Sequence, residues 1–295
     1  MWVSTKPGGD LVRGLGAVPT SAAERGGRPI LLVGNHQLLG LDLGLLILEF
    51  LEQKDTVVRG LAHPAVFGAG FDGGGGGPGA AVAGGRSGGA NLFETFGAVP
   101  VTPTNYYKLM DSGAAALLFP GGVREVYHKK GEAYKLFWPE ETDFVRVAAK
   151  FDAIVVPFGA IGSSDSFNMV LDSDEVLELP FLGERLRKTA AAIPNPRGAG
   201  GLAETFVSPL VAPKASGPDR FYMVFGEPLD LTGVSHKDKD ACAAAYSDVK
   251  ASAEAAIQTG MELRKGDKFR KAAPRLAVEA LTGRPAPSFR LPARM

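Results

Sequence analysis

The sequence predicts an α/β fold, a mainly parallel central sheet flanked by helices. Three observations carry that prediction. Short apolar runs end in glycine, as in ILLVG (30–34), AAALLFPGG (114–122) and AIVVPFGAIG (153–162), which is how strands buried on both faces read. Segments with helical spacing separate them: Phe144, Val147, Ala148 and Phe151 place one apolar face at intervals of three and four. The chain has 295 residues, enough to bury a substantial core. Strand–helix alternation builds parallel sheets because each return crossing needs a long connection, usually a helix.

Taken in order, PILLVG (29–34) predicts a strand and Leu41 to Gln53 a helix. TVVRGLA (56–62) and FGAVPV (96–101) predict two more strands, and Asn105 to Asp111 a short helix. AAALLFPGG is a fourth strand running into a glycine turn. Pro139, Glu140, Glu141 and Asp143 mark a helix start, since acidic side chains favour the positive end of the helix dipole. AIVVPFGAIG is the next strand, and RFYMVFGEPLDL (220–231) a later one.

Two stretches break the pattern. Gly68 to Gly89 holds 12 glycines in 22 residues and predicts a flexible surface loop, because such text cannot bury enough surface to offset its ordering entropy. Its GAGFDG and GRSGG strings match a dinucleotide fingerprint and a hydrolase elbow by letter only; the strand and helix that either motif needs are missing. From Ser163 to Asp219 a charged helix candidate (Asp172 to Lys188) is mixed with apolar, proline-rich text: LPFL (179–182), IPNPRG (193–198) and FVSPLVAPKASGP (206–218). This reads either as an excursion packed on the sheet or as a lipid-facing cover.

Composition narrows the function classes. Basic and acidic residues balance at 32 each, so no global field favours nucleic acid. The single cysteine, Cys242, excludes an internal disulfide and reads as a packing residue near a helix start. Ile30 to Leu51 is long enough to suggest a membrane span, yet it carries Asn35, His36, Gln37, Asp42 and Glu49, which lipid disfavours. The opening MWVSTKPGGD has neither a signal-peptide core nor a transit-peptide pattern, and reads as the interior start of a longer protein.

The chemistry concentrates in LLVGNHQLLGLD (31–42). A histidine at a strand's exit stands where open α/β sheets place ligands. An imidazole there can take a proton from a hydroxyl, and a carboxylate can hold its tautomer. His36 and Asp42 are six residues apart, about 240° round an ideal helix, so they meet only if His36 lies in the turn before the helix. Gly34 and Gly40 permit such a turn. The alternative is a polar cluster that only caps the helix. FPGGVRE (119–125) ends another strand, where Gly121 and Gly122 can expose backbone N–H groups to an oxyanion beside Arg124.

Together, Asn-His…Asp, Phe-Pro-Gly-Gly…Arg and Val-Pro resemble the blocks of the glycerolipid acyltransferase superfamily. The likeness is greatest to the plant and algal plastid phytyl ester synthase family, whose members also make triacylglycerol. NHQLLGLD, GAVPVTPTN, FPGGVREVYHKKGEAYKLFWPEETDFVRVAAKFDAIVVPFGAIG, RFYMVFGEPLDL and PRLAVEALTGRPAPSF carry it, over residues 28 to 290. There are departures. Five residues stand between His36 and Asp42, where the wider superfamily has four. Thr102 stands where that superfamily carries an arginine for glycerol phosphate, and Gly121 replaces a glutamate. These changes favour a neutral alcohol over a phosphorylated acceptor.

The resemblance implies an acyltransferase-like α/β domain at 28–265, containing the glycine loop (68–89) and a lipid-facing insertion (163–219). An N-terminal extension (1–27) precedes it and a C-terminal tail (266–295) follows. It implies an O-acyltransferase that moves a fatty acyl group from acyl-CoA or acyl-carrier protein to diacylglycerol or phytol. His36 would be the base and Asp42 its orienting acid, with Glu125 the rival for that role. Asn35, Gly121, Gly122, Arg124 and Glu125 would make the oxyanion and substrate site. His128, Lys129, Lys130 and Lys135 would extend a basic patch towards the donor's phosphates. No metal or cofactor beyond the donor is implied, and the location would be a chloroplast plastoglobule or thylakoid surface. A thioesterase or lipase, and a non-catalytic lipid-binding plastoglobule protein, are the alternatives. Leu179, Pro180, Phe181, Leu182, Phe206, Val207, Leu210 and Val211 are expected to form an apolar lipid-facing patch.

Overall fold

The computed structural model describes residues 1–67, 92–191 and 207–291. The glycine loop and Phe206 lie outside these residues. The strands are β1 (Trp2–Thr5), β2 (Leu11–Arg13), β3 (Ile30–Gly34), β4 (Arg59–Ala62), β5 (Val99–Pro100), β6 (Ala115–Leu118), β7 (Ile154–Ile161), β8 (Phe167–Leu171), β9 (Leu210–Pro213), β10 (Tyr222–Phe225) and β11 (Leu229–Asp230). The helices are α1 (Ala22–Arg25), α2 (Leu43–Lys54), α3 (Leu92–Thr95), α4 (Pro103–Asp111), α5 (Gly122–Val126), α6 (Asp143–Lys150), α7 (Ser163–Ser166), α8 (Ser173–Leu177), α9 (Leu182–Ala191), α10 (Lys239–Lys265) and α11 (Ala272–Thr282).

Nine strands form one sheet in the order β2-β1-β10-β7-β3-β6-β4-β5, with β11 also on β7. The pairs β3–β6, β3–β7, β4–β6, β4–β5 and β1–β10 are parallel. β10 and β11 run antiparallel to β7, and β2 to β1. The fold is therefore the mainly parallel α/β sheet that the apolar runs predict. Along β3, Leu31 and Val33 face one core with α10 and α6, while Ile30 and Leu32 face the other with Leu46 and Phe50 of α2. Being covered on both faces explains why these strands are continuous apolar text rather than alternating.

Three features differ from the sequence reading. Residues 1–27, read as an extension, supply β1 and β2; Trp2, Val3 and Ser4 pair with Met223, Val224 and Phe225 of β10. Strands this short carry too little pattern to be seen in sequence. The charged helix expected at 172–188 breaks in two, α8 and α9. Asp172 caps α8 through a capping box with Glu175, and Phe181 turns the chain between the helices at φ 63°. The insertion also forms a hairpin, β8 with β9, apart from the main sheet.

Candidate functional site

The site forms where β3, β6 and β7 end side by side. Gly34, the last residue of β3, pairs with Phe158, and a Cβ on Gly34 would lie 2.6 Å from that ring. Only glycine lets the strand leave past it. Asn35 then spends both amide groups on β7: Nδ2 donates to the Ala160 carbonyl at 3.0 Å, and Oδ1 accepts the Ala160 N–H at 2.7 Å. Gln37 donates to the same carbonyl and accepts the Ser163 N–H at 3.0 Å. Two amide side chains thus continue the sheet's hydrogen bonding past its edge and hold the segment that carries His36.

A tight 3-10 turn follows (Leu38–Gly40), in which Leu39 and Gly40 both take positive φ, 62° and 65°. This turn brings Asp42 back beneath His36, as the six-residue spacing requires. His36 Nδ1 lies 4.0 Å from Asp42 Oδ1. Asp42 occupies the N-cap position of α2, yet its side chain makes no capping hydrogen bond. The carboxylate is fully buried. Among the described residues, neither of its oxygens nor His36 Nδ1 has a hydrogen-bond partner. A capping cluster would have used that carboxylate on the helix, so the helix-cap alternative does not describe this geometry.

Burial sets the charges of the pair. It lowers the His36 pKa to about 3 and raises that of Asp42 to about 7. The imidazole is therefore neutral near pH 7, and Asp42 sits at its own titration point. The His36 ring lies flat on Phe119, with centroids 4.0 Å apart and planes at 14°. Phe119 in turn meets Phe158 edge-on at 5.8 Å. The phenylalanine of the FPGG run is thus a site residue that no polar motif marks; its adjacency to that run is the only signal in the sequence.

Glu125 takes a different part from the one assigned by sequence. Its buried carboxylate accepts the backbone N–H of His36 at 2.7 Å and that of Phe137 at 2.9 Å. It holds the main chain under the histidine, whereas Asp42 is the acid facing the ring. Gly121 makes the room, since a Cβ there would lie 2.0 Å from the Glu125 Cδ.

The rest of the expected substrate site is largely engaged within the protein. The Gly122 N–H donates to the Phe119 carbonyl at 3.0 Å and so closes the turn. Arg124 pairs with Glu132 at 2.7 Å, and its guanidinium lies over Phe137 at 3.9 Å. His128 is buried, with Nε2 2.9 Å from Ser164 Oγ, and burial pushes its pKa down. Lys129 and Lys130 are paired with Asp174 and Glu175 of α8. The basic run is therefore mostly a seam to the insertion, and within it Lys135 is exposed.

Fold and site together define an open α/β protein with a histidine, partly exposed, over a fully buried aspartate at the carboxyl ends of its parallel strands. The chain is similar in sequence to the phytyl ester synthases. It is 37% identical over 303 residues to phytyl ester synthase 1, chloroplastic, of Arabidopsis thaliana, covering 98% of this chain and 40% of that protein. Against phytyl ester synthase 2, chloroplastic, of the same plant it is 36% identical over 290 residues, covering 95% of this chain and 38% of the relative. The chain thus spans about 40% of the length of the curated relatives it matches. The 1-acyl-sn-glycerophosphate (LPA) acyltransferase PlsC from Thermotoga maritima aligns in structure with a TM-score of 0.38 and 13% identity, over 79% of this chain and 66% of that one. No family model matches the chain.

Proposed function

We propose that the chain is an O-acyltransferase that moves a fatty acyl group from acyl-CoA or acyl-carrier protein to a neutral lipid alcohol, diacylglycerol or phytol. The observation that carries this reading is the unspent pair of His36 and the buried Asp42 at the sheet edge. With Nδ1 turned to Asp42, Nε2 is left for the acceptor. The alcohol's O–H bond breaks as its oxygen attacks the thioester carbonyl carbon, and the proton passes to Nε2. The imidazolium then forms beside Asp42, and closing the 4.0 Å gap to hydrogen-bond length stabilises it. Collapse of the tetrahedral intermediate expels the thiolate, which takes the proton back from His36. Ester and free thiol leave, and the pair is restored.

The relatives' names support acyl transfer in a plastid, and the reading extends to a plastoglobule or thylakoid surface. Among the described residues no helix is long and apolar enough to cross a membrane. Lipid contact then falls to surface groups, and the insertion supplies some: Phe181 is 96% exposed, and Leu182 and Leu210 are also exposed. Val207, by contrast, is buried and belongs to the packing. Purified chain with labelled acyl-CoA or acyl-carrier protein, offered phytol and diacylglycerol, tests the proposal. Ester from either pair, lost in His36→Ala, supports it. Release of free acid alone would favour the thioesterase alternative, and no turnover at all the lipid-binding one.

A further inference from the structure

α11 is poorly covered by the protein. Of AAPRLAVEALT only Ala272 is buried, while Leu276 and Leu281 are 59% and 87% exposed. Its flanks are basic. From Arg264 to Arg290 there are eight Lys and Arg residues against two acidic ones, Asp267 and Glu279, in a chain whose overall charge is zero. Arg264, Lys265 and Lys271 are matched by Asp165, Glu262 and Asp219. Lys268, Arg284 and Arg290 are exposed.

The helix is tied to the site edge. The Arg220 N–H at the entry to β10 donates to the Arg270 carbonyl at 2.7 Å, and β10 enters opposite Ile161, where β7 ends. Arg275 borders a cleft of about 300 Å³ that Trp2, Phe221, Met223, Leu45 and Leu48 line. Leu45 and Leu48 are themselves half-exposed on α2, the helix that begins at Asp42.

We infer that α11, with the outer face of α2, docks this protein on an anionic bilayer surface. An exposed apolar helix flanked by cations is what an interfacial helix requires: leucines enter the acyl boundary while lysines and arginines meet lipid phosphates. The insertion, by contrast, is net acidic: from Ser163 to Asp219 eight Asp and Glu residues stand against five Lys and Arg. The arrangement sets the cleft, and the sheet edge that carries His36, against the lipid. The inference rests on the reading above that the acceptor is a membrane lipid.

Sedimentation with vesicles of phosphatidylcholine alone, and of phosphatidylcholine mixed with phosphatidylglycerol, tests it. Wild type should bind the mixed vesicles about tenfold more tightly or better, and lose that advantage as salt rises. Leu276→Glu/Leu281→Glu should weaken mixed-vesicle binding at least about tenfold without shifting the melting curve, since burying a leucine is worth that much. Lys268→Glu/Arg284→Glu should remove the preference for anionic vesicles. Wild-type affinity in either double variant, or equal binding of wild type to both vesicle types, would overturn the inference. Acyl transfer to a short-chain, water-soluble alcohol separates the two readings. If it persists in wild type while the vesicle result fails, only the docking falls; if it is absent while docking holds, the transferase reading falls.

Discussion

The carboxylate of Glu125 grips the backbone of His36: Oε2 accepts the histidine N–H at 2.7 Å, and Oε1 accepts that of Phe137 at 2.9 Å. It packs where any side chain at position 121 would stand. The glycine and the glutamate of FPGGVRE are therefore one device, which joins the end of β6 to the turn after β3.

That pairing makes Gly121→Ala a severe change. Gly121 has an ordinary φ of −72°, so the cost is contact with Glu125 and not backbone strain. Displacing the carboxylate leaves two partly buried N–H groups without their acceptor, worth about 1 kcal/mol each. Urea denaturation should show a loss of that order, with a parallel fall in activity. A Gly121→Ala protein as stable as wild type would show that Glu125 has room to move.

His36→Ala should lower ester synthesis about 100- to 10,000-fold, the usual weight of a general base. The lost stack on Phe119 should cost about 1 kcal/mol of stability, well short of unfolding. Turnover within a few-fold of wild type, in a protein that melts normally, would move the base elsewhere.

The pH profile should report Asp42. His36 is neutral at any pH well above about 3, so the active form, neutral imidazole beside ionised carboxylate, grows as pH rises through about 7. kcat/KM should climb from pH 6 to 8 and flatten. Asp42→Asn should remove this limb along with about 100-fold or more of the rate. A limb that survives in Asp42→Asn would belong to another group.

Stability should move the opposite way with Asp42. Its folded pKa, about 7, lies above the ordinary value of 3.8, so the native state holds a proton that the unfolded chain releases. Its contribution is full below pH 4 and is lost as pH rises towards 7. Asp42→Asn should therefore melt higher than wild type at pH 8, with the difference shrinking towards pH 4. Calorimetry at both pH values checks the sign, and an equal difference at the two would contradict it.

Shortening the glycine-rich stretch 68–89 to a few residues should leave activity and melting temperature nearly unchanged. Loop-closure entropy changes by only about 0.6 kcal/mol per doubling of length. A large loss of activity in Ser87→Ala would instead point to hydrolase chemistry at GRSGG.

Much of the fold was legible in the sequence because strands covered on both faces must be continuous apolar text. ILLVG, AALL and IVVPFGAI announce the three central strands without reference to any partner. His36 and Asp42 were legible for a related reason: polar groups at the end of such a run need an account, and the six-residue spacing admits a turn but not one helical face. The edge strands at Trp2–Thr5 and Leu11–Arg13 were not, since short half-buried segments become strands only through the neighbour they pair with. Nor could sequence choose between Asp42 and Glu125. Both are acids a short reach from His36, and only the packed arrangement decides that one carboxylate faces the ring while the other holds its backbone. The charge states were likewise a tertiary matter. Residue identity says which groups can titrate; burial, which depends on everything packed around them, keeps the histidine neutral and weakens the aspartate as an acid.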